Sequence, residues 1–441
     1  MIPKEYDLGN GMMLSALSTD RFKTASLTVS TALLADSTLS PQSTLLLGVL
    51  GRGSAKHPTL LSLNRRMDEL YDLTLFSRNY RMGDLQILGS GAYFIDPAFL
   101  PATEDGRALE KENVQMLADS LYAPLYDENG LFRADYVEKE KTVLCDVIRD
   151  EKNNPAAYAE QRSRELTFAG EPHGVSFYGT LGGVREMMPE AVTERYRALL
   201  PHAPLRFFYV GSTEGERMAE LIENAFRTEG GRPATDGALG ATLPPLGTKD
   251  LAQKRYFEET LPVPQSKLVL SLSSGADLRS DDIYTAMVYN EILGGSPTSK
   301  LFTNVREKKS LCYYCSSVYD FYKGYFSVAS GIRLENRAET EAAILYEVEQ
   351  MRAGHISALE LENAKRYLAS VYTSLYDSAS SIESYFLSRG IYGVSVTPEE
   401  TRAAIARVTR EDVVRFSSRV TLSSVYFLAG TRTDGGEEDA E

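Results

Sequence analysis

The spacing of apolar residues predicts that the chain contains two segments of similar organisation. In the first, Met12–Leu17 and Thr24–Leu34 alternate apolar and polar side chains, as a half-buried β-hairpin does. In the second, Arg255–Thr260 and Ser266–Ser273 repeat this pattern. Because successive side chains of a strand point to opposite faces, such alternation places one face on a core. Each segment is therefore predicted to open with two strands.

The two segments also end alike, each with a helix followed by a strand that closes on glycine. The helices and the strands after them are Pro189–Leu200 with Arg206–Gly211, and Arg410–Arg419 with Ser424–Gly430. Between these ends lie long helical patterns such as Ala338–Arg352 and Ser357–Tyr376. The repetition predicts an α+β fold of two homologous halves, each an antiparallel-rich sheet with helices packed on one face. Two unrelated α+β domains with similar ends remain the alternative.

A change of composition divides the chain near its middle. Residues 227–250 are rich in Gly, Pro, Ala and Thr and have no amphipathic period, which predicts a linker. We therefore expect a first α+β half over residues 1–226 and a second over residues 251–430. The final stretch, residues 431–441, is predicted to be a solvated acidic tail.

Composition and charge exclude several classes of function. With 43% hydrophobic and 24% charged residues among 441, the composition is that of a globular protein. The net charge of −14 argues against a nucleic-acid or anionic-membrane surface, which needs clustered Lys and Arg. No run of 18 apolar residues and no apolar signal core occur, so we expect a cytoplasmic protein without a membrane span.

The histidines and cysteines give little indication of a local metal-binding motif. No two of the four histidines lie within five residues of each other, which excludes a helical HExxH pair. Cys312-Tyr-Tyr-Cys315 has the spacing of a redox or zinc motif, but it lies in an apolar aromatic run. Burial of both cysteines as small hydrophobic side chains is the favoured interpretation.

The segment of residues 294–317 is the most informative part of the sequence. A turn is followed by a helical stretch that ends in positive charge at Arg306, and a strand then begins at Leu311. A guanidinium beside an aromatic strand can present a planar donor fork and a phenol to an extended ligand. From the residues alone, however, a basic side chain in a last turn more often caps its own helix.

This segment resembles the second-half signature of the insulinase/pitrilysin-type zinc metallopeptidases, in particular their mitochondrial processing peptidase-like branch. The matching residues, without a gap, are Gly294, Gly295, Ser299, Leu301, Phe302, Val305, Arg306, Glu307, Lys308, Leu311 and Tyr313. Similar matches to family motifs occur at Leu8–Met12, Val143–Ile148, Asn154–Pro155 and Tyr178–Leu181, so the resemblance covers about residues 5–430. It implies two repeated α+β halves.

The departure from the family is as informative as the match. Active members carry an inverted H-x-x-E-H in the first half, and alignment on Gly53–Pro58 places Thr44 and Gly48 at its two histidines and Leu47 at its glutamate. The region of the third ligand reads Cys145-Asp146 instead of Glu-Glu. Zinc needs three protein donors of N, O or S type, and leucine and glycine offer none. We therefore predict no catalytic residues and no metal in this chain, with Asp146 as a degenerate ligand position.

The resemblance implies a non-catalytic subunit that binds peptide. In heterodimeric members one partner lacks the metal motif, and an Arg/Tyr pair grips the substrate. Arg306 and Tyr313 are the matching positions here, and we expect them to contact an extended peptide. The expected partner is a homologous subunit that contains HxxEH and carries the zinc, or else a second copy of this chain.

Two other functions remain open. The chain is a structural scaffold if Arg306 and Tyr313 serve only local packing. It is a metallopeptidase with atypical ligands if residues such as Asp146, Glu151 or Glu160 bind the metal.

Overall fold

The computed structural model describes residues 1–100, 104–226 and 254–431, without the side chains of residues 104, 105 and 107. Up to residue 226 the elements are β1 (Lys4–Gly9), β2 (Met12–Ser18), β3 (Thr24–Leu34), α1 (Leu39–Leu50), α2 (Leu60–Glu69), β4 (Thr74–Met82), β5 (Leu85–Ile95), α3 (Glu104–Tyr122), α4 (Ala134–Asp150), α5 (Pro155–Thr167), α6 (Leu181–Glu186), α7 (Pro189–Leu199), β6 (Leu205–Gly211) and α8 (Gly215–Ala225).

From residue 254 onwards the elements are β7 (Arg255–Leu261), β8 (Ser266–Ser273), α9 (Ile283–Asn290), β9 (Cys312–Asp320), β10 (Tyr325–Ile332), α10 (Arg337–Arg352), α11 (Ala358–Ser374), α12 (Ala379–Ile391), α13 (Pro398–Arg407), α14 (Arg410–Ser417) and β11 (Thr421–Gly430). Two π-helical segments, Glu291–Gly295 and Leu301–Lys308, lie between α9 and β9. Helices and strands in this order confirm the predicted α+β class.

Two sheets with the same strand pattern form the framework. The first has the order β1-β2-β6-β3-β5-β4, and the second has the order β7-β11-β8-β10-β9. In the first, β2 runs parallel to β6, and the remaining neighbours are antiparallel. In the second, β7 runs parallel to β11, with every other pair antiparallel. Apart from the additional strand β1, the two sheets therefore share one topology, which supports the interpretation as a duplication.

The expected opening hairpins do not form. Strand β6 lies between β2 and β3, and β11 lies between β7 and β8. Alternation reports which face of a strand is buried but not which strand pairs with it, so a later strand inserts between the two. Strand β3 is not half-buried either. Its seven consecutive residues Ala25–Thr31 are all buried, so both faces of the strand are covered.

One helix covers the second face of each sheet, in addition to the helices on the face that was expected. In the first sheet this helix is α12, whose Glu383 accepts a hydrogen bond of 2.6 Å from Thr28 and pairs with Arg78 at 2.7 Å. In the second sheet it is α5, where Ala159 packs on Val269. The other face of the second sheet packs on helices that include α9. Tyr289 of α9 contacts Phe326 of β10 and Phe416 of α14.

The chain folds into two compact units that each include a segment from elsewhere in the sequence. The first contains Met1–Arg149, the described residues of Val175–Pro244, and Tyr376–Ser395 with α12. The second contains Asp150–Gly174 with α5 and the described residues of Pro245–Leu375 and Val396–Glu441.

The boundaries 1–226 and 251–430 of the duplicated halves stay a prediction. The linker at 227–250 lies outside the described residues, and so does the tail at 431–441 apart from Thr431. Among the helices that the structure describes, none combines the length and the apolar character needed to cross a bilayer.

Candidate functional site

Helix α1 of the first unit carries the three residues that were predicted to stand at the family's zinc motif. Its start is held by Asp36, whose carboxylate accepts hydrogen bonds of 2.8 Å from the N–H groups of Leu39 and Thr38. These two bonds lower the pKa of Asp36. Positions three and four residues apart share one face of a helix. The helix therefore brings together Thr44, Leu47 and Gly48.

The hydroxyl of Thr44 is fully occupied by hydrogen bonds within the unit. It donates to the carbonyl oxygen of Phe177 at 2.7 Å and accepts from Nδ2 of Asn79 at 2.8 Å. A second donor, Nε2 of Gln86, lies at 3.3 Å. Since a hydroxyl has one proton and two lone pairs, no capacity is left for a ligand.

Gly48 faces a carboxylate that fills the space of a side chain. A Cβ atom added to Gly48 would collide with Oε2 of Glu140 on α4. The same carboxylate accepts a hydrogen bond from Nε of Arg52, which lies one turn beyond Gly48 on the chain. Side-chain exposure of this pair is low, 23% for Arg52 and 14% for Glu140. A histidine at position 48 therefore requires this ion pair to move.

Leucine and valine occupy positions close to the ion pair along α1 and α4. Leu47, at the predicted position of the water-activating glutamate, packs against the hydrophobic core of the first unit. Val143 and Val147 follow Glu140 at helical spacing and are 47% and 39% exposed. They therefore lie on the same face of α4 as Glu140.

The predicted third-ligand region is used differently. Asp146 lies on α4 with its side chain 57% exposed and pairs with Arg149 at 2.5 Å. Cys145 is buried in the core of the first unit. The carboxylate that Gly48 faces belongs to Glu140, a residue that the sequence analysis did not single out.

These residues do not fit a zinc ion. Thr44 has no free lone pair, Leu47 offers no donor atom, and the space at Gly48 is taken by a carboxylate that is already paired. Within residues 1–100, 104–226 and 254–431, no group of three or more His, Cys, Asp or Glu side chains is arranged to hold a metal ion. Of the atypical candidates, Glu151 accepts a hydrogen bond from Nε2 of Gln161 at 3.0 Å, and desolvation raises the pKa of Glu160.

Arg306 lies at the end of a helical segment in the second unit. The segment Leu301–Lys308 ends where the N–H of Ser310 donates to the carbonyl of Arg306 at 3.1 Å, and Ser310 adopts a left-handed backbone with φ of 52°. This turn directs the chain into β9. The Arg306 guanidinium lies 4.6 Å from the ring centroid of Phe302 and is 39% exposed. The Phe302 ring therefore covers one face of the guanidinium, and the edge of the guanidinium is accessible to solvent.

Tyr313 lies on β9, the edge strand of the second sheet. Cys312 pairs with Ile332 and Tyr314 pairs with Gly331, so Tyr313 is the additional residue of a β-bulge. Its side chain is 55% exposed. The phenol contacts the guanidinium of Arg333, whose pKa is raised by this hydrogen bond.

The structure brings Arg306 close to the strand of Tyr313. Its positive charge acts on the thiol of Cys312, the residue next to Tyr313. Arg333 was not predicted from the sequence, because it lies 20 residues beyond Tyr313 and reaches it only through the pairing of β10 with β9. The ion pair of Glu140 and Arg52 was not predicted either, because it joins α4 to the turn after α1 and leaves no local signal.

Comparison with known proteins places the chain among peptidase-like proteins. A family profile described as "Peptidase M16 inactive domain" matches residues 190–368. A Bacillus subtilis protein named "Probable inactive metalloprotease" is 25% identical over 421 residues, covering 96% of each chain.

Solved structures agree with this relation. A conserved protein from Enterococcus faecalis superposes with a TM-score of 0.85 at 25% identity, covering 99% of this chain and 100% of the other. A peptidase M16 inactive domain from Pseudomonas fluorescens shares the fold, with a TM-score of 0.76 at 17% identity over 98% of this chain and all of that one. The chain is therefore similar, over most of its length, to insulinase-type M16 peptidase homologues, including one named as an inactive metalloprotease.

Proposed function

We propose that this chain is a non-catalytic, peptide-binding subunit that acts with a zinc-carrying homologue in peptide or protein processing. One observation carries the proposal. The edge strand β9 exposes Tyr313, and the segment before it exposes part of the Arg306 guanidinium, whereas Thr44, Leu47 and Gly48 on α1 meet internally bonded or apolar groups. The proposal therefore assigns peptide contact to β9 and no cleavage chemistry to α1.

An extended peptide would add to β9 as a further strand. An edge strand presents N–H and C=O groups that are not used in its own sheet, and these provide affinity without sequence preference. Arg306 would contact a main-chain carbonyl or a carboxylate of the peptide, and Tyr313 would offer its hydroxyl. The bulge supports this role because it leaves Tyr313 outside the regular pairing with β10.

The zinc is expected in a homologous partner that contains HxxEH, so that the active species is a heterodimer. Support comes from the space next to Gly48, which is occupied by the Glu140 carboxylate and its partner Arg52. Self-association of the chain is the alternative assembly. Co-expression with a motif-containing homologue, followed by affinity capture and a peptide cleavage assay, distinguishes the two.

The peptide-binding role is tested by the double substitution Arg306→Ala/Tyr313→Phe. Loss of two hydrogen bonds of about 1 kcal/mol each predicts at least about tenfold weaker peptide binding. The matched control is Arg366→Ala/Tyr346→Phe, which alters an arginine and a tyrosine of the same unit that are 71% and 54% exposed. Unchanged affinity and complex activity in the first variant would refute the gripping role.

A structural scaffold is the second candidate, favoured by the local contacts of the same residues. Arg306 lies 3.5 Å from Glu307, and Tyr313 contacts Arg333. In a scaffold the double substitution changes the free energy of unfolding and leaves peptide affinity as it was. For the third candidate, a peptidase with atypical ligands, elemental analysis of the purified chain is decisive, because stoichiometric zinc would contradict the proposed function.

A further inference from the structure

The β-bulge of β9 places two cysteines on the same face of the strand. Residues three apart in a regular strand face opposite sides. Here Cys315 pairs with Ser330 and Cys312 pairs with Ile332, with Tyr313 as the additional residue between them. Because Ser330 and Ile332 are two residues apart on one face, the two cysteines opposite them also share a face. The separation along the partner strand is about 7 Å.

The two thiols contact each other, and their surroundings differ. The Cys315 thiol hydrogen-bonds to the sulfur of Cys312. Cys312 is half-buried at the edge of the sheet, whereas Cys315 is only 3% exposed. Disulfides span Cα separations of up to about 6.8 Å, which is close to the rise of about 7 Å between the partners of the two cysteines on β10.

The charges around the pair favour one thiol as the nucleophile. The hydrogen bond from Cys315 and the positive charge of Arg306 lower the pKa of Cys312. The hydrogen bond to Cys312 and burial raise the pKa of Cys315. Since the thiolate is the reactive form of cysteine, Cys312 is the residue that attacks the oxidant first, and Cys315 then attacks the oxidised Cys312.

We propose that Cys312 and Cys315 are an oxidisable dithiol that forms an intramolecular disulfide with a hydroperoxide as the oxidant. The Cys312 thiolate attacks the terminal peroxide oxygen, the O–O bond breaks, and the alcohol or water leaves after protonation. Cys312 is then a sulfenic acid. The Cys315 sulfur attacks the Cys312 sulfur, the S–O bond breaks, and the hydroxyl leaves as water with the Cys315 proton. Two thiols are oxidised by two electrons, and one peroxide is reduced.

The proposal concerns the second unit alone and is independent of any peptide-binding role. It replaces the interpretation of both cysteines as inert hydrophobic side chains. Cys145 provides an internal comparison, because it is buried in the core of the first unit. The structure gives it no neighbouring thiol among the described cysteines.

The test treats the reduced full-length protein with hydrogen peroxide, blocks free thiols with an alkylating agent and maps the peptides by mass spectrometry. Trypsin releases Ser310–Lys323 with both cysteines. We expect this peptide to lose two hydrogens and to regain them with dithiothreitol, while Cys145 remains alkylated. Two free thiols in Ser310–Lys323 after treatment, or a disulfide between two chains, would overturn the proposal.

Variants assign the roles of the two thiols. Cys315→Ser should leave Cys312 as a sulfenic acid that dimedone traps, and Cys312→Ser should abolish oxidation of the peptide. Arg306→Ala should slow disulfide formation several-fold by removing the positive charge, and Cys145→Ala should leave its rate unchanged. Equal rates in Cys312→Ser and the wild type would contradict the assignment. The wild-type experiment decides whether the disulfide forms even if a variant does not fold.

Discussion

The α1 surface of the first unit and the β9 edge of the second unit use their polar groups in opposite ways, although both belong to sheets of one topology. On α1, the Thr44 hydroxyl and the Glu140 carboxylate are bonded within the unit. On β9, the Tyr313 phenol is 55% exposed at an edge strand.

The difference lies in how much of each surface is available to a ligand. Next to Gly48, an internal ion pair occupies the space of a side chain. At a strand edge, the main-chain groups exist whatever the side chains are. Substitutions on α1 are therefore expected to change stability, and those on β9 are expected to change binding.

The largest expected effect comes from Gly48→His, which restores one family ligand. The new side chain must displace the carboxylate of Glu140 from Arg52, and we expect a loss of about 2–3 kcal/mol in the free energy of unfolding. Urea denaturation measures it. Gly182→His is the control, because a Cβ there meets no atom within 4 Å, and its effect should be below about 0.5 kcal/mol. Equal effects of the two substitutions would contradict the closed α1 surface.

A smaller loss is expected for Thr44→Val. It leaves the Phe177 carbonyl and the Asn79 amide without their partner, at a cost of about 1–2 kcal/mol in the same assay. Thr373→Val is the matched substitution. Each threonine hydroxyl lies within hydrogen-bond distance of the carbonyl oxygen four residues earlier on its helix, at Ser40 for Thr44 and at Ala369 for Thr373, but Thr373 is exposed. A cost for Thr373→Val as large as that for Thr44→Val would show that the additional partners contribute nothing.

The third effect depends on pH and concerns the start of α1. Hydrogen bonds lower the pKa of Asp36 in the folded chain. The contribution of Asp36 to the free energy of unfolding is therefore complete above its unfolded pKa of 3.8, and it disappears as the pH falls through its pKa in the folded chain. Asp36→Ala should cost up to about 1 kcal/mol at pH 7, since the side chain is exposed. The difference from wild type should shrink below pH 3.8. Urea denaturation across the acid range tests this, and a constant difference would contradict the capping role.

The smallest stability effect is expected on β9. Arg306→Ala/Tyr313→Phe should change the free energy of unfolding by less than about 0.5 kcal/mol, because both side chains are substantially exposed. Differential scanning calorimetry of the variant and wild type provides the measurement. A loss above about 1 kcal/mol would assign these residues to packing and favour the scaffold.

Much of the architecture was accessible from the sequence. The alternation in Thr24–Leu34 and Ser266–Ser273 coincides with β3 and β8, and the helix expected over Pro189–Leu200 is α7 with one residue fewer. Positions Thr44, Leu47 and Gly48 share one helical face because their spacing alone determines it. The hairpins were wrong, since strand pairing depends on residues far away in the sequence.

The sequence by itself determined the α+β class and the similar order of elements in two parts of the chain, because periodicity is a local property. Only the tertiary structure decided that α12 packs on the first sheet and α5 on the second, although each helix lies in the other part of the sequence. It also decided that Glu140 fills the space at Gly48, and that a bulge brings Cys312 and Cys315 together. These contacts join residues through packing and strand register, which depend on the whole chain and leave no trace in any short segment.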